Sequence, residues 1–198
     1  MKVLNLYAGI GGNRALWNNC EVTAVEINPK WAKIYKDKFP DDIVIVCDAH
    51  EYLIKKHKEF DFIWSSPPCQ THSRANYFTQ HIRKEQVYPD MKLYQEIIFL
   101  QHFSECKWVV ENVIPYYNEM IPAKKIGRHL FWSNFTIPVI EQPKDDIGTM
   151  CGKNQKARKK HITERNAVNS ELGLHIFNIA RGIYDHYNNK QKSIFDEL

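Results

Sequence analysis

The spacing of the cysteines offers neither a metal site nor a disulfide framework. The five of them, Cys20, Cys47, Cys69, Cys106 and Cys151, form no CxxC pair and no His-Cys cluster. An odd number of scattered thiols suits a reducing compartment. No apolar run approaches the roughly 20 residues that cross a bilayer. Met1-Lys-Val-Leu-Asn-Leu6 enters a strand pattern directly, without the charged, apolar and small-residue zones of a signal peptide. The expectation is a soluble intracellular protein, cytoplasmic or, in a eukaryote, nuclear, with no membrane partner. Internal repeats and low-complexity tracts are missing as well, which argues against solenoids and fibrous arrays.

What is present is the composition of a globular chain. At 198 residues, 43% hydrophobic and 13% aromatic, residues 1–198 suffice for a single domain with a real core and leave little room for a second. The formal charge of +4 is unevenly spread, because Lys153-Asn-Gln-Lys-Ala-Arg-Lys-Lys160 packs five cations into eight residues. That run permits a nucleic-acid partner. A solvated loop is the commoner origin of such a cluster.

Val3 to Tyr7 reads as a short strand, Ala8-Gly-Ile-Gly-Gly12 as a glycine turn, and Asn13 to Trp17 as helical. Glu21 to Glu26 predicts a second strand ending in a carboxylate, followed through Asn28-Pro29 by an amphipathic helix over Lys30 to Phe39. A third strand, Ile43 to Cys47, stops at Asp48. Glu51 to Lys58 predicts a short helix, Phe60 to Ser66 a fourth strand, Tyr94 to Cys106 a helix, and Lys107 to Glu111 a fifth strand. The alternation predicts an α/β fold with a mostly parallel sheet and helices on both faces. Further on, Leu130 to Ile137 reads as a strand, Glu141 to Thr163 as a polar, turn-rich segment, and Val168 to Tyr187 as a helix.

Ligands of such sheets sit beyond the carboxyl ends of the strands. Gly9, Gly11 and Gly12 allow close backbone approach there, and a helix N-terminus behind them would add unpaired N–H groups. The pattern is G-x-G-G, not the dinucleotide G-x-G-x-x-G. Glu26 suits a ribose diol and Asp48 an adenine edge. Singly, each carboxylate reads as a helix cap or solvated charge; together the three features converge on a crevice for a nucleoside cofactor. Cys69, in Pro67-Pro68-Cys69-Gln70, follows the fourth strand on a loop that two prolines stiffen. Alone it would be a small apolar thiol capping a strand. Glu111-Asn112-Val113 places a carboxylate at another strand tip on the same edge. A glutamate that hydrogen-bonds a heterocycle nitrogen makes the adjacent ring carbon electrophilic enough for a thiolate.

Taken in order, these pieces resemble the DNA cytosine-5 methyltransferase family. Leu6-Tyr7-Ala8-Gly9-Ile10-Gly11-Gly12 is similar to its S-adenosyl-L-methionine loop, and Glu26-Ile27 and Asp48-Ala49 to its second and third cofactor contacts. Pro67-Pro68-Cys69-Gln70 resembles its nucleophile motif and Glu111-Asn112-Val113 its glutamate motif. Arg165-Asn166-Ala167-Val168 is similar to its last motif, which folds back on the cofactor pocket. The resemblance implies a Rossmann-like methyltransferase fold, S-adenosyl-L-methionine as cofactor, no metal, and a DNA substrate. It also implies a mechanism: Cys69 adds to C6 of cytosine while Glu111 holds N3, C5 takes the methyl group, and loss of the C5 proton releases the thiol. The base must be flipped from its stack, with Thr71 to Pro89 as the closing loop. Within it His72, Arg74, His81, Arg83 and Lys84 suit phosphate contacts, or form a solvated surface.

Two departures from the family pattern stand out. Spaced arginines are expected after the glutamate motif; here Gly127-Arg128-His129 keeps Arg128, the candidate for helping Glu111 orient the base, and puts His129 where the last arginine would fall. The second is size. Residues 136–163 form a reduced target-recognition region, so sequence choice is expected to be short, supplied by a protein partner, or carried by Thr71 to Pro89. Three rival readings use the same residues: an RNA cytosine-5 methyltransferase, a nucleic-acid-binding regulatory subunit, and an exocyclic-amine methyltransferase with Ser66-Pro-Pro68 as its loop. Cys69 stands where that last loop needs an aromatic ring.

Overall fold

The computed structural model describes residues 1–79, 82, 85–138 and 168–183. Strand β1 (Lys2–Leu6) leads into the glycine turn, β2 (Glu21–Val25) into helix α1 (Pro29–Lys38), and β3 (Ile43–Ile45) into α2 (Ala49–Lys56). There follow β4 (Phe62–Ser65), α3 (Arg74–Thr79), α4 (Lys92–Phe103), β5 (Lys107–Val113), β6 (Lys124–Ile126), β7 (His129–Ser133) and α5 (Ser170–Ala180). The first five strands pair in parallel. β7 runs antiparallel to β5, and β6 to β7, giving the order β3-β2-β1-β4-β5-β7-β6. The order reverses between β1 and β4, which opens a crevice at their carboxyl ends.

Alternation along the strands divides the core between two faces. Val3, Phe62, Trp64, Val109 and Phe131 pack with Trp17 and with Leu172, Ile176 and Phe177 of α5. Their neighbours Leu4, Leu6, Ile63 and Val110 pack on the other face with Leu53 of α2 and Leu93, Ile97 and Leu100 of α4. Burial on both faces is why these strands read as continuous apolar runs. Helix α1 starts where the Asn28 side chain accepts from the Lys30 N–H and Pro29 takes the first turn.

Several expectations are corrected. Residues 13–17 form successive turns and no helix. Only a few residues separate Gly12 from the left-handed Asn19 (φ 53°), too few to repay helix nucleation. Tertiary bonds hold the turns instead: Asn13 Nδ2 donates to Asn5 Oδ1 (2.9 Å), and Arg14 makes two bonds to Asp42 (2.9 and 3.0 Å). Helix α5 also presses on this segment, since a Cβ on Gly173 would lie 2.4 Å from the Asn13 carbonyl oxygen. The fifth strand runs past its expected end to Val113, because pairing with β7 carries it two residues beyond Glu111. The strand expected from Leu130 to Ile137 ends at Ser133, and β6 is an element the sequence pattern did not reveal. The cationic run 153–160, Asn166, and most of the 136–163 region lie outside the described residues.

Candidate active site

The glycine turn is held open by Glu26. Its Oε2 accepts from the Gly9 N–H (2.9 Å) and its Oε1 from the Asn28 N–H (2.8 Å). Three residues of the turn are left-handed: Tyr7 (φ 55°), Gly9 (φ 53°) and Gly11 (φ 77°). Gly11 admits no side chain, since a Cβ would come within 2.3 Å of Phe39 Cε2. Across the crevice, Asp48 caps α2 by accepting from the Glu51 N–H (3.0 Å), while its Oδ2 lies 3.9 Å from Lys92 Nζ. Between these elements is a cavity of about 130 Å³ lined by Tyr7, Ile27, Asp48, Ala49, Pro67, Pro68, His72 and Leu93, among others. Val168 lies elsewhere, buried in the core beside Trp17 and α5.

Below the cavity floor sits a carboxylate that the motifs did not point to. Glu96 is fully buried and accepts from the Tyr7 hydroxyl, from Ser65 Oγ (2.7 Å) and, at 3.1 Å, from His50 Nδ1. The bond to Glu96 raises the His50 pKa, against the opposing effect of burial. Burial and the same carboxylate raise that of Tyr7. A left-handed tyrosine is a strained residue, and this bond fixes it. One signal could have found Glu96. It shares the 3–4 spacing of Leu93, Ile97 and Leu100, so a charge falls on an apolar stripe. Glu96→Gln leaves an amide N–H facing donors, and is expected to destabilise the fold by about 1.5–3 kcal/mol. The His50 ring should then titrate at lower pH by NMR; an unchanged titration would show that the carboxylate does not set it.

The nucleophile loop leaves β4 at its carboxyl end. The Cys69 carbonyl accepts from the N–H groups of His72 (3.1 Å) and Ser73 (3.0 Å), closing a tight turn. Asn112 Nδ2 donates to the Pro67 carbonyl (2.9 Å), tying this loop to β5 one residue after Glu111. Cys69 is half-buried, and its thiol pKa is pushed up to about 11, first by burial and then by the charge of Glu111. Glu111 is itself buried, inside β5. On the same face of the sheet, His129 of β7 brings Nε2 to 3.6 Å from Glu111 Oε1. Arg128 lies in the exposed turn before β7, and its carbonyl accepts from the Ile114 N–H (3.4 Å). His72 does not meet the expectation of a phosphate contact. It is buried, bonded through Nδ1 to the Tyr117 hydroxyl, and burial lowers its pKa, so it is neutral near pH 7. Its Nε2 has no partner among the described residues. Arg74 is exposed; His81, Arg83 and Lys84 lie outside the described residues.

A reversing parallel sheet with an antiparallel edge hairpin, a glycine turn after β1 and acidic residues following β2 and β3 defines a Rossmann-like methyltransferase fold. The chain belongs to the C-5 cytosine-specific DNA methylase family, whose model matches residues 1–115. S-adenosyl-L-methionine is accordingly its cofactor. Over 80 residues it is 34% identical to a tRNA (cytosine(38)-C(5))-methyltransferase of Spodoptera frugiperda, an alignment covering 37% of this chain and 24% of that protein. The protein of the same name from Homo sapiens is 32% identical over 81 residues, covering 37% and 21%. The chain thus spans less than a quarter of the length of these curated relatives. A crystal structure of a Spodoptera frugiperda DNMT2 mutant is similar at 26% identity and a TM-score of 0.43, covering 60% of this chain and 37% of that one. Among the described residues no helix is long and apolar enough to cross a membrane.

Proposed function

We propose that the chain transfers a methyl group to C5 of cytosine in DNA, with Cys69 as nucleophile and Glu111 as the group that holds the base. One observation carries this reading. Cys69 follows β4 and Glu111 lies near the end of the adjacent parallel strand β5, near enough for the carboxylate to raise the thiol pKa. That coupling gives a sequence of events. Glu111 in its protonated form donates to cytosine N3, and with its negative charge gone from beside Cys69 thiolate is favoured just when C6 becomes electrophilic. The sulfur adds to C6, electron density moves to C5, and loss of the C5 proton after methylation expels the thiolate. His129, 3.6 Å from Glu111, steadies the carboxylate, and Arg128 on the adjoining turn meets the substrate strand and helps orient the base.

Bound S-adenosyl-L-methionine supplies the electrophilic methyl. The residues present fit it. Glu26 keeps lone pairs for a ribose diol, Asp48 lines the cavity, Ile27 is 63% exposed beside it, and the unpartnered His72 Nε2 offers one further hydrogen bond. At about 130 Å³ the cavity takes only part of the cofactor, since whole ligands of drug size fill roughly 300 Å³ or more. Tyr7, Ala8, Gly9, Ile10, Gly11 and Gly12 then border the remainder, with Ala49 and Pro67 as cavity walls. Asn166, outside the described residues, completes the proposed cofactor set, and Val168, in the core beside Trp17, is left out of it.

The names of the two relatives favour RNA as a second reading. Labelled methyl transfer decides between them, with purified wild-type protein, cytosine-containing DNA and transcribed tRNA offered separately. DNA is expected to be labelled at cytosine C5. Label in tRNA alone would overturn the choice of DNA and leave the Cys69 chemistry standing; no transfer with retained binding would favour a binding module.

A further inference from the structure

We propose that α3 is a stacking shelf for unpaired nucleotides beside the target base, an inference that rests on the nucleic-acid reading above. The helix is inside out. Arg74, Tyr77 and Phe78, at i, i+3 and i+4, share one side and are all exposed, Tyr77 at 51% and Phe78 at 72%. Asn76 is the residue turned inward, 2% exposed, its amide donating to the carbonyls of Thr71 (3.3 Å) and Val87 (3.4 Å). A helix packed on a protein surface ordinarily buries its rings and exposes its amides. Clustered rings turned outward mark a binding surface.

This surface is stiff and continuous with the reaction site. The Tyr77 ring lies against Tyr116 with centroids 5.7 Å apart and planes 30° from parallel, and Tyr116 meets Tyr117 edge-on at 5.2 Å. The Tyr116 N–H donates to the His72 carbonyl (3.1 Å), and Ser73 bridges Pro115. The shelf is therefore braced on the Cys69 turn at one end and on the chain just after Glu111 at the other. A strand that delivers a base between those two groups lays its adjoining nucleotides over these rings. Ring faces take base faces, which are free only where bases are unstacked, and the Arg74 cation suits the accompanying phosphate. Reading duplex edges in a groove would call for several polar groups on this side, and besides Arg74 the stripe offers only the Tyr77 hydroxyl.

The test uses a labelled single strand of about 12 nucleotides with one cytosine, free or annealed to its complement, and anisotropy binding in the presence of S-adenosylhomocysteine. Tyr77→Ala with Phe78→Ala is expected to weaken single-strand binding by at least about fivefold, the lower bound for losing one stacked base. Duplex binding should stay within about twofold, and Tyr77→Phe with Phe78→Trp should restore the single strand. Unchanged single-strand binding would overturn the shelf, and so would a larger loss on duplex, which would mark Phe78 as a wedge between paired bases. Methyl transfer by Cys69→Ser is measured alongside. Persistence of transfer there refutes the Cys69 chemistry without touching the shelf, whereas a failed shelf with transfer abolished leaves that chemistry intact.

Discussion

Cys69→Ser is expected to lower methyl transfer by at least about 10⁴-fold while leaving cofactor and nucleic-acid binding within about twofold. The exchange keeps volume and hydrogen-bonding capacity but replaces a thiol by a hydroxyl, which is far more weakly acidic and a far poorer nucleophile. Losses of this order follow removal of a covalent nucleophile in other enzymes, because the remaining groups act only through it. A second readout sharpens the expectation. Wild-type protein incubated with S-adenosyl-L-methionine and DNA carrying a cytosine analogue that cannot lose its C5 substituent should form a stable protein–nucleic-acid adduct by gel electrophoresis, and Cys69→Ser should form none. Transfer within tenfold of wild type in Cys69→Ser would end the covalent mechanism.

Glu111→Gln is expected to move two measurements in opposite directions. Methyl transfer should fall by about 10²–10⁴-fold, the usual range for losing a positioned acid–base group. Cys69 should at the same time become more reactive. Its thiol is held up at about 11 by burial first and by Glu111 second, so removing the carboxylate charge lowers the pKa part of the way back. A lower pKa means more thiolate at any pH below it. At pH 8 the thiolate fraction then rises by less than about tenfold, and the weaker intrinsic nucleophilicity of a less basic sulfur offsets roughly half of that on a logarithmic scale. The net gain with a small disulfide reagent is about threefold or less, read at the Cys69 peptide by mass spectrometry. In wild type the same reaction should still be accelerating between pH 8 and pH 10. A slower Cys69 in Glu111→Gln would contradict the electrostatic coupling on which the proposed mechanism turns.

Six of the seven strands were legible, most of them because burial leaves apolar runs, while β3, exposed or half-buried, showed as a short apolar run all the same and β6 gave no such signal. The glycine turn, the acidic residues after β2 and β3 and the order of the two reactive motifs could be read because each uses a distinctive residue type at or near the carboxyl end of a strand. Residues 13–17 misled because their periodicity is helical while Asn5, Asp42 and Gly173 hold them in turns. Long-range partners do not show in local spacing. The same holds for His72, whose basic side chain suggested phosphate until burial and Tyr117 gave it an interior role. The role of Glu96 was not legible, beyond a charge on an apolar stripe, because its three donors come from β4, α2 and the glycine turn, which meet only in the folded chain. Motif spacing pointed to Arg128, and it could not show that the antiparallel register of β7 also brings His129 to the acid.

That register has a consequence for how this protein tolerates insertions and deletions. Side chains on a strand alternate, so adding or losing one residue in the Gly127-Arg128 hairpin would rotate all of β7 by half a turn. Losing one residue would put Leu130 in the place of His129 beside the buried acid, and adding one would put a residue of the hairpin there instead. Length changes at that hairpin are therefore compatible with the chemistry only in twos, and a library of hairpin variants should show activity alternating between odd and even lengths.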